Sequence, residues 1–157
     1  MSLFPITVDD SVLRVRLNSF DARVKARLIK VMRKLSIDLT TRVQVNKLSG
    51  QVLRNRTGAL RSSIHPTGPT VTATGVTAGA GTNLVYAAFH EYGFHGTEAI
   101  RSHLRTLKSG KTSQVRAHSR TINYPAHSYL RSTLREMAPE IVEAIHQAVV
   151  VEARAKS

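Results

Sequence analysis

The chain of 157 residues contains no cysteine and no tryptophan, few aromatic residues, and only 10 acids against 23 Lys and Arg. Without cysteine there are no disulfides, no thiolate zinc sites and no cysteine nucleophiles. With 5% aromatic content, the core falls to Leu, Ile, Val and Ala. No apolar run approaches the roughly 20 residues of a membrane-spanning helix. The first ten residues hold neither a basic leader nor an apolar signal core, so the expectation is a soluble protein kept inside the cell, without a membrane role.

What the chain does have is positive charge, formally +13 with histidines neutral, on one domain's length of sequence. A field of that sign attracts polyanions and acidic partners. No acid occurs between Asp38 and Glu91, or between Glu98 and Glu136. The second gap carries Arg101, Arg105, Lys108, Lys111, Arg116 and Arg120, the candidate contacts for a nucleic acid or an acidic partner.

Leu13, Leu17, Phe20, Val24, Leu28, Val31, Leu35 and Leu39 recur at intervals of three and four, which predicts one amphipathic helix from Asp10 to Val45 with Asp9, Asp10 and Ser11 as capping residues. Such a helix would be about 50 Å long, more than one small domain covers. Part of its apolar face is therefore expected against another subunit, or the helix is expected to bend. The glycine- and proline-rich middle predicts short strands: Leu60 to His65 and Thr70 to Thr77 as a hairpin turning at Pro66 to Pro69, then Leu84 to Glu91 as a strand or a short helical turn. Gly58 is placed to redirect the chain before Leu60. Residues 93–122 lack an apolar period and read as a mobile basic loop. From Ser128 the stripe Leu130, Leu134, Met137, Ile141, Ile145, Val149 predicts a second amphipathic helix, kinked or restarted at Pro139. The expected fold class is α+β: an N-terminal and a C-terminal helix packed on a small antiparallel sheet, as one domain over 1–157 with the basic loop projecting.

Catalytic patterns fail on spacing. His90-Glu91 is followed by His95 five residues after the first His, whereas two helical zinc ligands stand four apart. Ser109-Gly110-Lys111-Thr112 ends like a phosphate-binding loop, yet the required first glycine position holds Arg105. No Gly-x-Ser-x-Gly nucleophile turn occurs. The expectation is no enzyme, no cofactor and no metal. Glu91, the only acid between Asp38 and Glu98, should pair with an arginine, Arg61 being one candidate. Tyr86, Phe89, Tyr92, Tyr124 and Tyr129 read as core or subunit interface rather than as base-stacking platforms.

Three blocks carry a resemblance: Thr57 to Ile64, with Thr57, Gly58, Leu60, Ser63 and Ile64; Tyr86 to Gly93, with Tyr86, Glu91, Tyr92 and Gly93; and Pro125 to Leu130, with Pro125, Tyr129 and Leu130. In order and spacing they resemble the Thr-Gly-x-Leu-x-x-Ser-Ile, Tyr-Ala-x-x-x-Glu-[Tyr/Phe]-Gly and Pro-x-x-x-[Phe/Tyr]-Leu blocks of a bacteriophage family. These are the head-tail joining, neck or tail-completion proteins of long-tailed phages, similar to the minor tail protein Z of lambdoid phages. The resemblance spans nearly the whole chain, and the segment between Gly93 and Pro125 is longer than in many relatives. It implies a structural virion protein, assembled in the host cytoplasm, that self-associates as a ring, six copies by analogy with a six-fold tail. The block residues would form the assembly interface. The implied partners are tail-terminator or tail-tube proteins and head-closure or connector proteins, with transient contact to genomic DNA. The alternative reading is a free-standing basic nucleic-acid-binding protein.

Overall fold

The computed structural model describes residues 13–15, 22–53, 57–72 and 75–154. Asp9, Asp10, Ser11, Leu17 and Phe20 lie outside the described residues. Among the described residues, four α-helices and seven strands make the expected α+β fold: β1 Leu13–Val15, α1 Ala22–Arg42, α2 Ala59–Ser63, β2 His65–Thr72, β3 Gly75–Gly81, α3 Ala87–Tyr92, β4 Phe94–Ile100, β5 His103–Thr106, β6 Thr112–Val115, β7 His118–Tyr124 and α4 Leu130–Arg154.

Helix α1 is shorter than the sequence pattern predicts, because Leu13 belongs to a strand. Leu13-Arg14-Val15 also alternates with period two, and pairing with β3 (Leu13↔Ala78, Val15↔Val76) decides between the two periods. From Val24 the helical stripe holds: Val24, Leu28, Met32, Leu35, Leu39 and Val43 are buried at intervals of four and three. The last turn widens to a π-helical segment at Val43–Lys47, closed by Leu48 N–H on the Val43 carbonyl (3.1 Å). Ion pairs then tie this end to α4, Lys47 to Glu136 at 2.6 Å and Arg42 to Glu140.

The three-stranded antiparallel sheet has order β1-β3-β2. Its central strand is built from small residues, and Val76, Ala78 and Ala80 lie buried in one core with α1 and with Leu130, Met137, Ile141 and Ala148 of α4. The residues Leu134, Ile145 and Val149 of the predicted α4 stripe pack against this core. Helix α4 runs unbroken, with Pro139 inside it on an exposed position.

Two further expectations are corrected. Residues 59–63 are helical rather than a strand: Ala59, Leu60 and Arg61 are good helix formers, and Ser62 and Ser63 hydroxyls donate back to the Ala59 and Leu60 carbonyls at 3.1 and 2.8 Å. The two strands pair, but as β2-β3 in a register that runs to Thr72↔Gly75. Pro66 to Pro69 lies within β2, where the register shifts between Thr67 and Thr70. A proline is tolerated there because β2 is an edge strand of the β1-β3-β2 sheet.

Residues 93–122 are not a loop. Strands β4 and β7 pair from Phe94↔Tyr124 to Ile100↔His118, and β5 and β6 from His103↔Val115 to Thr106↔Thr112. Two residues separate the two ladders on each strand, so one register runs through a single long ribbon. Every residue from Arg101 to Gln114 is exposed. With both faces in water, no apolar alternation is needed, which explains why periodicity gave no strand signal. Among the described residues, no helix is long and apolar enough to cross a membrane.

Candidate functional site

The second and third sequence blocks meet at one buried carboxylate. Helix α3 is patterned in reverse: Ala87, Ala88 and Glu91 face inward, while Tyr86, Phe89 and Tyr92 face out. Glu91 is 1% exposed and sits at the N-terminal end of α4. There its Oε2 accepts the backbone N–H groups of Tyr129 (2.8 Å) and Leu130 (2.9 Å). Its Oε1 accepts the Ser128 hydroxyl (2.7 Å), the Arg131 backbone N–H (3.0 Å) and Arg131 Nε–H (3.0 Å).

A helix of 25 residues begins with unsatisfied N–H donors and the positive end of its dipole, and Glu91 satisfies both from a distant element. Arg131 closes the arrangement by donating from Nη2 to the Glu91 backbone carbonyl (2.9 Å) and stacking 4.4 Å from the centre of the Tyr92 ring. Arg131, not Arg61, is thus the arginine that pairs with Glu91, and Arg61 is exposed on α2. Ser128 and Arg131 flank the Tyr129-Leu130 pair of the third block. A lone acid together with a serine at a helix start is the signal that identifies them.

Burial by itself would raise the Glu91 pKa. The hydrogen bonds from Leu130, Arg131, Ser128 and Tyr129 outweigh it and hold the carboxyl below its ordinary value. A carboxylate with both oxygens engaged by five donors is a poor proton acceptor. Its chemistry is that of a staple between α3 and α4.

Neighbouring contacts reinforce this junction. Tyr129 is fully buried and donates its hydroxyl to the Ala87 carbonyl (3.3 Å); burial first, and the Glu91 charge second, push its pKa far up, so it stays protonated. His127 N–H donates to the His90 carbonyl (2.7 Å). Gly93 leaves α3 with φ +76°, and a Cβ there would stand 2.8 Å from Ala126 N and Tyr124 O. Only glycine lets the chain pass this close while entering β4. Pro125 is exposed where β7 leads to α4, and Leu130 is 3% exposed.

The first block lies on other contacts. Thr57 Oγ1 accepts the Ala59 N–H (3.4 Å), Gly58 takes φ +73° as expected for a redirecting glycine, and Leu60 packs against the core. Ser63 Oγ meets Thr82 Oγ1 at 2.7 Å, and buried Ile64 accepts Gln44 Nε2–H through its carbonyl (2.9 Å).

Outside this junction lies an aromatic surface that the sequence reading only partly anticipated. Of the five aromatic residues expected in core or interface, Tyr129 is core. Tyr86, Phe89 and Tyr92 are 40%, 39% and 39% exposed, and Phe94 at the root of the ribbon is 39% exposed. Phe89 packs edge-on against Phe94 with centroids 5.3 Å apart. Tyr86, His90, Tyr124 and His127 form a second edge-on series at 5.4 to 5.8 Å. His90 Nδ1 is 2.7 Å from the Tyr124 hydroxyl, and burial followed by the neighbouring His127 lowers its pKa. Large exposed apolar residues gathered in one place are the informative kind of surface.

The candidate cations Arg101, Arg105, Lys108, Lys111, Arg116 and Arg120 all fall on the ribbon and all are exposed. Arg120 pairs across the strands with Glu98, Nη2 to Oε2 at 2.8 Å. Among the described residues, no group of three His, Asp or Glu side chains is placed to hold a metal ion. Compared with family models, with curated proteins and with solved structures, the chain matches none.

Proposed function

We propose that the chain is a structural virion or prophage component that assembles with copies of itself into a ring at the head-tail junction of a long-tailed phage, joining the tail to the capsid connector without catalysing a reaction. The observation that carries this reading is the reversed helix α3, which turns its one acid inward as a staple and its aromatic side chains outward. Such a patch, with Tyr86 and Tyr92 from the second block on it, is suited to burial against a second copy. The helices support the same reading. Ile37 and Val45 at 48% exposure and Val142 at 67% remain uncovered, and an open groove of about 580 Å³ runs along α1 between Ala26, Ile29 and Ile37.

Tail-terminator or tail-tube proteins and head-closure or connector proteins remain the proposed neighbours in the virion. Negative-stain images of the purified chain test the proposal directly, with Phe89→Ser as the interface variant. Closed rings that are lost in Phe89→Ser, with the helical content kept, support assembly through α3. Isolated particles in both samples refute it.

A further inference from the structure

We infer that the β4–β7 ribbon is a double-stranded DNA-binding arm whose distal half, residues 101–117, lies in the major groove. This inference is independent of ring assembly and stands on the shape and charge of the arm.

Shape is the first observation. The path from Phe94 to the turn at Ser109 covers about 50 Å at roughly 3.3 Å per residue. The distal ladder is only two strands wide and is closed by a tight turn, with Leu107 N–H on the Lys111 carbonyl (2.8 Å). The major groove of B-form DNA, about 12 Å wide, admits a two-stranded ribbon. A two-stranded ladder with all of its side chains in water from Arg101 to Gln114 has no core of its own, so a partner surface is what would order it.

Charge is the second. Residues 101–117 carry Arg101, Arg105, Lys108, Lys111 and Arg116 and no acid, and the nearest carboxylate, Glu98, is already paired with Arg120. The cations are spread along both strands and round the turn, the distribution of an element that tracks phosphates rather than of a single anion pocket.

The remaining residues select among nucleic acids. No Phe, Tyr or Trp occurs between Phe94 and Tyr124, so the arm lacks the stacking platforms that single strands require. A-form RNA closes its major groove to side chains. Leu104, 72% exposed in β5, and Leu107, 44% exposed at the turn, supply apolar contact of the kind thymine methyl groups accept.

The experiment is fluorescence anisotropy of a labelled 24-base-pair mixed-sequence duplex between 50 and 200 mM salt. The wild-type chain is compared with the triple variant Arg105→Ser, Lys108→Ser, Lys111→Ser. Five phosphate contacts predict about a 500-fold loss of affinity across that range, and two contacts about 12-fold, from a slope of about 0.9 per contact. A second variant replaces residues 101–117 by Asn-Gly, which closes the Ile100↔His118 pair with a two-residue turn. It should lose duplex binding. A variant slope equal to wild type overturns the proposal, as does absence of wild-type binding. So does polyglutamate or single-stranded DNA bound as tightly as duplex. Light scattering on the same samples keeps assembly separate: variants with wild-type mass but weakened DNA binding place the function in the arm, and a monomer that binds duplex through the arm refutes the ring alone.

Discussion

Glu91 and Glu98 are seven residues apart and each meets an arginine, yet they do different work. Glu91 is 1% exposed and accepts five hydrogen bonds from Ser128, Tyr129, Leu130 and Arg131. The Glu98 side chain is 46% exposed and its partner Arg120 is 60% exposed, on a ribbon open to water. An ion pair in water is screened and contributes little, whereas a buried carboxylate left without its donors, or donors left without it, is costly. The α3–α4 junction of the body is therefore held by one acid that is hard to remove, and the arm by backbone pairing that tolerates change.

The largest effect is expected at Glu91. Glu91→Ala leaves three backbone N–H groups, a hydroxyl and part of a guanidinium without their acceptor and should cost about 3–5 kcal/mol in chemical denaturation. Glu91→Gln keeps the volume and should cost less, and it also tests the charge. Because the folded-state pKa of Glu91 lies below its ordinary value, its stabilising contribution is complete above that ordinary value and is lost as pH falls through the folded one. Acid should thus destabilise wild type more steeply than Glu91→Gln, and parallel curves would contradict the staple.

Gly93→Ala comes next, at about 2–3 kcal/mol, since alanine meets both a positive φ and backbone atoms at 2.8 Å. An unchanged denaturation midpoint would mean that α3 and β4 can separate freely. Smallest is Glu98→Gln, expected within about 0.5 kcal/mol of wild type. A loss comparable to that of Gly93→Ala would erase the distinction between body and arm.

The same contrast explains what was legible in the sequence. Helix α4 and α1 from Val24 onward could be read because Val24, Leu28, Leu35, Leu39, Leu130, Met137 and Ile141 face one core and repeat with its period. Leu13 to Val15 fit two periods, and only the sheet chose between them. The ribbon was invisible because a strand pair with no buried face imposes no pattern on its side chains. At the junction, the rarity of acids pointed to Glu91 and to an arginine partner, but Arg131 could be identified only once α3 lay across the start of α4. The outward aromatics of α3 ran against the ordinary rule that large apolar residues go inside. That conflict between local composition and burial is what the proposed contact surface rests on.

The most direct measurement of the central claim is the mass of the purified chain by light scattering across a wide concentration range. The account predicts one closed oligomer of fixed size that persists on dilution into the micromolar range and collapses to smaller species in Phe89→Ser. A chain of 17.3 kDa that remains a single copy at every concentration would contradict it.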